Sequence, residues 1–171
     1  MRALISLARP TEHHLDFIFS ASRIADISSN TYLPRFTDRA EATHWISVVP
    51  HGYVIELPDG PVGFVSVHDE VDLGGAELPL PPGAKEIELW LIPEARGKGF
   101  STEAHERLLE TSARDTPLVA IVWENNEDSI RLFHKLGYST VGHIYWSGPD
   151  GEGPCWVGLL SDIQASVSTQ K

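Results

Sequence analysis

The chain has 171 residues, 42% of them apolar and 22% charged, and its 13 Lys and Arg against 24 Asp and Glu give a net charge of −11. That length suits about one domain whose core needs no disulfide or metal to hold it, and the composition excludes disordered, collagen-like and coiled-coil classes. The acidic balance argues against non-specific binding to nucleic acid or an anionic membrane; it either solubilises the surface or draws cationic, amine-bearing substrates. The single cysteine, Cys155, has no internal disulfide partner, and neither it nor the eight histidines show metal-ligand spacing. The expectation is a reducing compartment and no bound metal. No apolar run reaches the length of a membrane span, and Met1-Arg2-Ala3-Leu4 lacks the apolar stretch of a signal peptide, which reads as cytoplasmic.

In chain order, Leu4 to Ala8 is a short apolar strand closed by Arg9-Pro10. Thr11, with His14 three residues on, opens an amphipathic helix that turns Leu15, Ile18, Phe19 and Ile24 to one face. Residues Ser28 to Thr37 carry no period and form a loop that lays Tyr32, Arg35 and Phe36 on the surface. Asp38 caps a second helix, with Ala42, Trp45, Ile46 and Val49 inward and Pro50 as its stop. Two strands, Tyr53 to Leu57 and Val62 to His68, flank an Asp59-Gly60 hairpin signal. Asp69 to Lys85 is acidic and rich in Gly and Pro, a long connection of the kind tolerated as an insertion.

A strand from Ile87 to Ile92, a turn and a helix opening at Ser101 or Thr102 follow, and Pro117 to Trp123 is the continuous apolar run of a strand buried on both faces. Asn125 to Asp128 offers caps for a helix that carries Ile130, Phe133 and Leu136 and ends at Gly137. Strands Ser139 to Trp146 and Cys155 to Leu160, separated by the Gly- and Pro-rich segment Ser147 to Pro154, complete a single domain of residues 1–165 before a polar tail from Ser166. The order β-α-α-β-β-β-α-β-α-β-β is a mixed α+β fold.

The chemistry gathers between Glu86 and Glu110. Arg96-Gly97-Lys98-Gly99 stands where a strand hands over to a helix, so unpaired amide N–H groups, the positive helix end and two side-chain charges converge. That spot suits a phosphate or pyrophosphate; the alternative for Arg96 and Lys98 is solvated turn charge.

Arg96-Gly97-Lys98-Gly99-Phe100-Ser101 resembles the Arg/Gln-x-x-Gly-x-Gly/Ala turn of the GNAT superfamily of N-acetyltransferases. A second signature of that family resembles Asn126, the small Ser129, the aromatic Phe133 and then Lys135-Leu136-Gly137-Tyr138. The resemblance spans Leu4 to Asp162 and is strongest to the branch acetylating small amines and amino acids, phosphinothricin-type enzymes among them, with the ribosomal-protein branch also close. It implies a mixed, mostly antiparallel sheet of about seven strands with about four helices, strands four and five splaying apart around acetyl-CoA. It implies that the amides from Arg96 to Ser101, with Thr102 beside them, cradle the pyrophosphate, that Leu91 and Ile92 offer main-chain bonds to the pantetheine, and that Asn126, Ser129, Phe133 and Lys135 also line the coenzyme. The implied reaction is acetyl transfer to the primary amine of a small molecule in a ternary complex, by a monomer or homodimer without nucleic-acid or membrane partners. A protein N-terminus or lysine as acceptor, and a CoA-binding sensor without transferase chemistry, are the alternatives.

The sequence departs from the family pattern twice. Ser101 stands where Gly or Ala is usual, and Phe133 stands where Tyr or His would protonate the departing thiolate, a proton phenylalanine does not have. Ser129, His134 or Tyr145 then supplies it, or departure is unassisted; His134 lies roughly 100° around the helix from Phe133. Glu86 and Glu88 share one face of their strand and are the candidate bases, against the alternative of solvent-facing carboxylates, Glu86 paired with Lys85. The loops Ser28 to Thr37 and Ser147 to Pro154 wall the acceptor, with Tyr32, Phe36 and Trp146 as contacts and Trp156 beside them. His13 and His14 sit far in sequence from any partner, and Cys155 reads as inert packing.

Overall fold

The computed structural model describes residues 5–49, 51–148 and 151–161. The polar tail from Ser166, the start of the first strand at Leu4 and the helix stop Pro50 lie outside the described residues. Seven strands, β1 (Ser6–Ala8), β2 (Gly52–Leu57), β3 (Gly60–His68), β4 (Lys85–Leu91), β5 (Leu118–Trp123), β6 (Ser139–Gly148) and β7 (Gly151–Leu160), form a sheet in the order β1-β2-β3-β4-β5-β7-β6. The registers are antiparallel for β1–β2, β2–β3, β5–β7 and β6–β7 and parallel for β4–β5. Five helices accompany them: α1 (Leu15–Ala21), α2 (Ala25–Ser28), α3 (Arg39–Val48), α4 (Phe100–Thr111) and α5 (Glu127–Lys135). This is the expected α+β architecture with one helix more, because Ile24 breaks out of the helical region (ψ 109) and the chain restarts as the single turn α2.

The chain divides into two compact units, residues 1–67 with 88–110 and residues 68–87 with 111–171, and β4 passes from the second into the first after Ile87. In the first unit, the Thr11 N–H donates to His14 Nδ1 at 3.0 Å, so that nitrogen is the acceptor and Nε2 carries the hydrogen it gives to Glu56 Oε1 at 3.0 Å. His14 therefore has a distant partner after all, on β2. Asp38 caps α3 by accepting the Glu41 N–H at 3.0 Å, and the Glu41 carboxylate accepts the Thr37 N–H at 2.7 Å. The core gathers Ile18, Ile27, Leu33, Val54, Phe64 and Trp90, with the Trp90 ring stacked on Phe17 and Phe64 at 6.0 and 5.9 Å. Phe36 belongs to this core, 4% exposed and edge-on to Trp45, which corrects its placement on the surface. Its neighbours Leu33 and Ala42 bury it where local sequence shows only loop chemistry.

Strands β3 and β4 approach closely. Ile92 N–H donates to Val62 O at 2.9 Å, and a Cβ at Gly63 would lie 2.3 Å from Trp90 O and 3.2 Å from Leu91 Cα. Only a residue without a side chain fits against that backbone.

In the second unit, β5 pairs with β7 along its whole length, from Leu118↔Leu160 to Trp123↔Cys155. The connection after His68 is not a bare insertion: Val71, Leu73, Leu78, Leu80 and Ala84 pack against the cluster of Val119, Ile144, Cys155 and Val157. Its Gly and Pro content masks an apolar layer with no regular period. The Ser147 to Pro154 segment, expected as a loop, is mostly ladder, with Ser147↔Glu152 and Gly148↔Gly151 in register, and its tip at 149–150 lies outside the described residues. Glycine tolerates the wide φ values there (Gly151 at +137), and Pro154 needs only its carbonyl, which accepts the Glu124 N–H at 3.0 Å.

Gly63→Ala is expected to cost about 1–3 kcal/mol of stability in urea unfolding, since backbone atoms must move to admit the methyl. Burial in α4 pushes the His105 pKa down from 6.5 to about 4. The folded protein keeps the ring neutral while the unfolded chain takes up a proton, so stability is present above pH 6.5 and is lost as pH falls toward 4, by up to about 3 kcal/mol. His105→Gln should flatten that part of a stability–pH curve.

Candidate active site

The signature turn is built by the end of β4. Ile92 stays extended and hands over to a 3-10 turn, Pro93–Ala95, that proline opens and the buried Ala95 methyl anchors. Gly97 (φ +72) and Gly99 (φ +84) then take left-handed values, and nothing lies within 4 Å of the Cβ that either lacks. Buried Phe100 opens α4, one residue earlier than expected. Among the described residues no acceptor takes the amide N–H of Gly97, Lys98, Gly99, Phe100, Ser101 or Thr102; the next, Glu103 N–H, bonds Gly99 O at 3.1 Å. Six successive donors at the positive end of a 12-residue helix, with open space where two side chains would stand, fit an anion of pyrophosphate size.

The two cations of the turn differ. Arg96 Nε–H donates to Leu91 O at 3.1 Å and its NH1 pairs with Asp26 of α2 at 2.5 Å, so this side chain braces the turn against β4 and α2. Lys98 is exposed and has no ion pair among the described residues.

Backbone donors along β4 alternate in direction. Lys85 N–H bonds Pro117 O at 2.9 Å on the β5 side, and the parallel register holds only Lys85↔Leu118 and Glu86↔Val119. By the same alternation Leu89 and Leu91 turn their N–H groups to the edge away from β3, where no register continues. Ile92 N–H, expected to be available, is committed to Val62 O, and Leu91 O to Arg96. Leu89 is the residue that the sequence reading missed; counting by twos from one known strand pair would have found it.

Glu86, Glu88 and Trp90 alternate with these leucines along β4. Glu86 and Glu88 are 3% and 8% exposed, which overturns the solvent-facing alternative, and the Lys85 ammonium pairs with Asp69 at 2.6 Å. In the second unit, Glu86 Oε2 receives the Asp72 N–H at a long 3.4 Å. In the first, Glu88 Oε1 accepts the Tyr32 N–H at 3.0 Å and Oε2 the Ser66 hydroxyl at 3.4 Å, while the Tyr32 ring is exposed.

The remaining sequence candidates belong to the second unit. Asn126 caps α5, its side-chain oxygen accepting the Ser129 N–H at 3.3 Å. Phe133, one turn on from Ser129, is buried edge-on to Tyr138 at 4.9 Å and stacked on Trp156 at 6.5 Å. Trp156 is a core residue, with its Nε1–H on Thr140 Oγ1 at 2.8 Å. His134 makes an edge contact with Trp156 and Lys135 is exposed. Trp146 packs half-buried on the second core, its ring close to Gly74 and Gly148, whereas Tyr145 is exposed. Burial, aided by Glu124 and Glu86, pushes the Cys155 thiol up to about 11, in keeping with inert packing. No group of three or more His, Cys, Asp or Glu that could hold a metal occurs among the described residues.

Residues 5–139 match the acetyltransferase (GNAT) domain family. No curated protein matches the chain significantly. Solved structures share its fold: the aminoglycoside acetyltransferase AAC(6')-Ib in complex with coenzyme A and kanamycin (21% identity, 98% of this chain and 99% of that one, TM-score 0.73), and a spermidine N-acetyltransferase chimera from Vibrio cholerae and hSSAT (15%, 96% and 98%, TM-score 0.73). A GNAT-family acetyltransferase from Bacillus anthracis does too (15%, 92% and 94%, TM-score 0.72). With a family match over most of its length, the chain belongs to the GNAT family of acetyl-CoA-dependent N-acyltransferases.

Proposed function

We propose that the protein transfers an acetyl group from acetyl-CoA to the primary amine of a small cationic molecule, by direct attack within a ternary complex. The observation that carries this reading is the run of six amides from Gly97 to Thr102 that have no acceptor among the described residues. When bound, acetyl-CoA supplies the thioester carbonyl that an amine attacks. The turn amides and Lys98 hold the pyrophosphate, and the Leu89 and Leu91 N–H groups bond the pantetheine in place of a neighbouring strand. Glu86, a buried carboxylate on β4, accepts the proton that the attacking ammonium must lose.

A small polyamine or amino sugar as acceptor is supported by the net charge of −11 and by two structural neighbours, one named for spermidine and one holding kanamycin. Among the branches that the sequence resembles, this favours the small-amine branch over the ribosomal-protein branch. One observation favours a second reading, a CoA-binding sensor: the Phe133 ring is locked between Tyr138 and Trp156 and gives no proton.

Thiol release from acetyl-CoA with kanamycin, spermidine and amino acids, run beside calorimetry with CoA, separates the readings. Release with at least one cationic amine is expected; tight binding with no release from any amine would establish the sensor. Gly99→Ala, strained at φ +84 although nothing lies within 4 Å of the added Cβ, should cost about 1–2 kcal/mol of stability and weaken CoA binding about tenfold in the folded variant. Lys98→Ala should weaken it about fivefold at low salt, and less as salt screens the charge.

A further inference from the structure

We propose that Glu88 is a positioning residue that fixes the loop walling the acceptor, and is not the base of the transfer. This rests on the reading above that the segment Ser28 to Thr37 contacts the amine. The segment has no regular structure of its own beyond the end of α2, so its shape depends on a few ties. Thr31 Oγ1–H donates to Ile27 O at 2.8 Å and accepts the Leu33 N–H at 3.2 Å, and the Leu33 side chain is fully buried in the first core. Between them, Tyr32 has its N–H on Glu88 Oε1, 56 residues away, while its ring stands 44% exposed. A buried carboxylate thus draws in the backbone at a residue whose side chain is largely exposed.

The same geometry makes Glu88 a poor proton acceptor. Each of its oxygens already takes a donor, from Tyr32 and from the fully buried Ser66 on β3. Protonating either oxygen would weaken one of those bonds in a site that water scarcely reaches.

Glu88→Gln separates holding from proton transfer, because the amide oxygen still accepts the Tyr32 N–H and the amide nitrogen reaches the Ser66 hydroxyl. Hydrogen exchange at the Tyr32 amide and steady-state kinetics with acetyl-CoA and spermidine or kanamycin are measured for wild type, Glu88→Gln and Glu88→Ala. Glu88→Gln should keep kcat and both limbs of the pH profile, staying within about threefold of wild type in kcat/KM, with Tyr32 still protected. Glu88→Ala should speed Tyr32 exchange about tenfold or more and raise KM for the amine by a similar factor, with KM for acetyl-CoA unmoved. A loss of about a hundredfold in kcat for Glu88→Gln, with the acidic limb gone and Tyr32 still protected, would make Glu88 the base and overturn the proposal. Unchanged Tyr32 exchange in a folded Glu88→Ala would overturn it as well. If wild type releases no thiol with any amine, the transfer reading fails, and exchange at Tyr32 still decides whether Glu88 holds the loop.

Discussion

A backbone amide must find an acceptor, and from Gly97 to Thr102, where the chain turns through two left-handed glycines into the first turn of α4, no N–H has one among the described residues. A single orphan of this kind is normal at a helix start. Six in sequence, with the helix dipole behind them, make a site whose charge comes from the main chain and does not depend on flexible side chains. This explains why Arg96 can be spent on bracing. Its guanidinium ties the turn to Leu91 O and to Asp26, and the amides supply the field.

The strand that delivers the turn carries two chemistries on its two-residue period. Its side chains alternate between the acidic set Glu86 and Glu88 and the leucines Leu89 and Leu91, while its backbone donors alternate between β3 and an edge with no continuing register. The close β3–β4 approach at Gly63 gives the strand a fixed seat. The parallel register with β5 ends after two pairs, so backbone groups that would otherwise be consumed by a ladder remain for other partners.

Much of this was legible in the sequence because it is written in local rules. Glycines flanked by cations after an apolar run, Asp38 and Asn126 at helix starts and the unbroken apolar run of β5 each act within a few residues. The turn, the caps and the strand accordingly stand where they were expected. What stayed hidden depends on contacts far apart in the chain. Phe36 sits in a segment with loop composition, and its burial comes from α1, α3 and Trp45. Glu88 looked like Glu86 because a two-residue period assigns a face and not a partner, and Tyr32 is 56 residues away. The stretch after His68 looked dispensable because its leucines keep no period, although they cover a core. The last hairpin looked like a loop because Gly and Pro are read as breakers, while glycine accepts wide φ values and proline needs only its carbonyl there.

Because β4 changes allegiance after Ile87, each compact unit is assembled from two separate stretches of chain. On a ribosome, residues 1–67 wait for 88–110 before their unit is complete, and residues 68–87 wait for the final strand near Leu160. The nascent protein therefore carries an unfinished sheet until β7 has been made, and a stop codon anywhere between Val67 and Leu160 leaves at least one core without its closing piece.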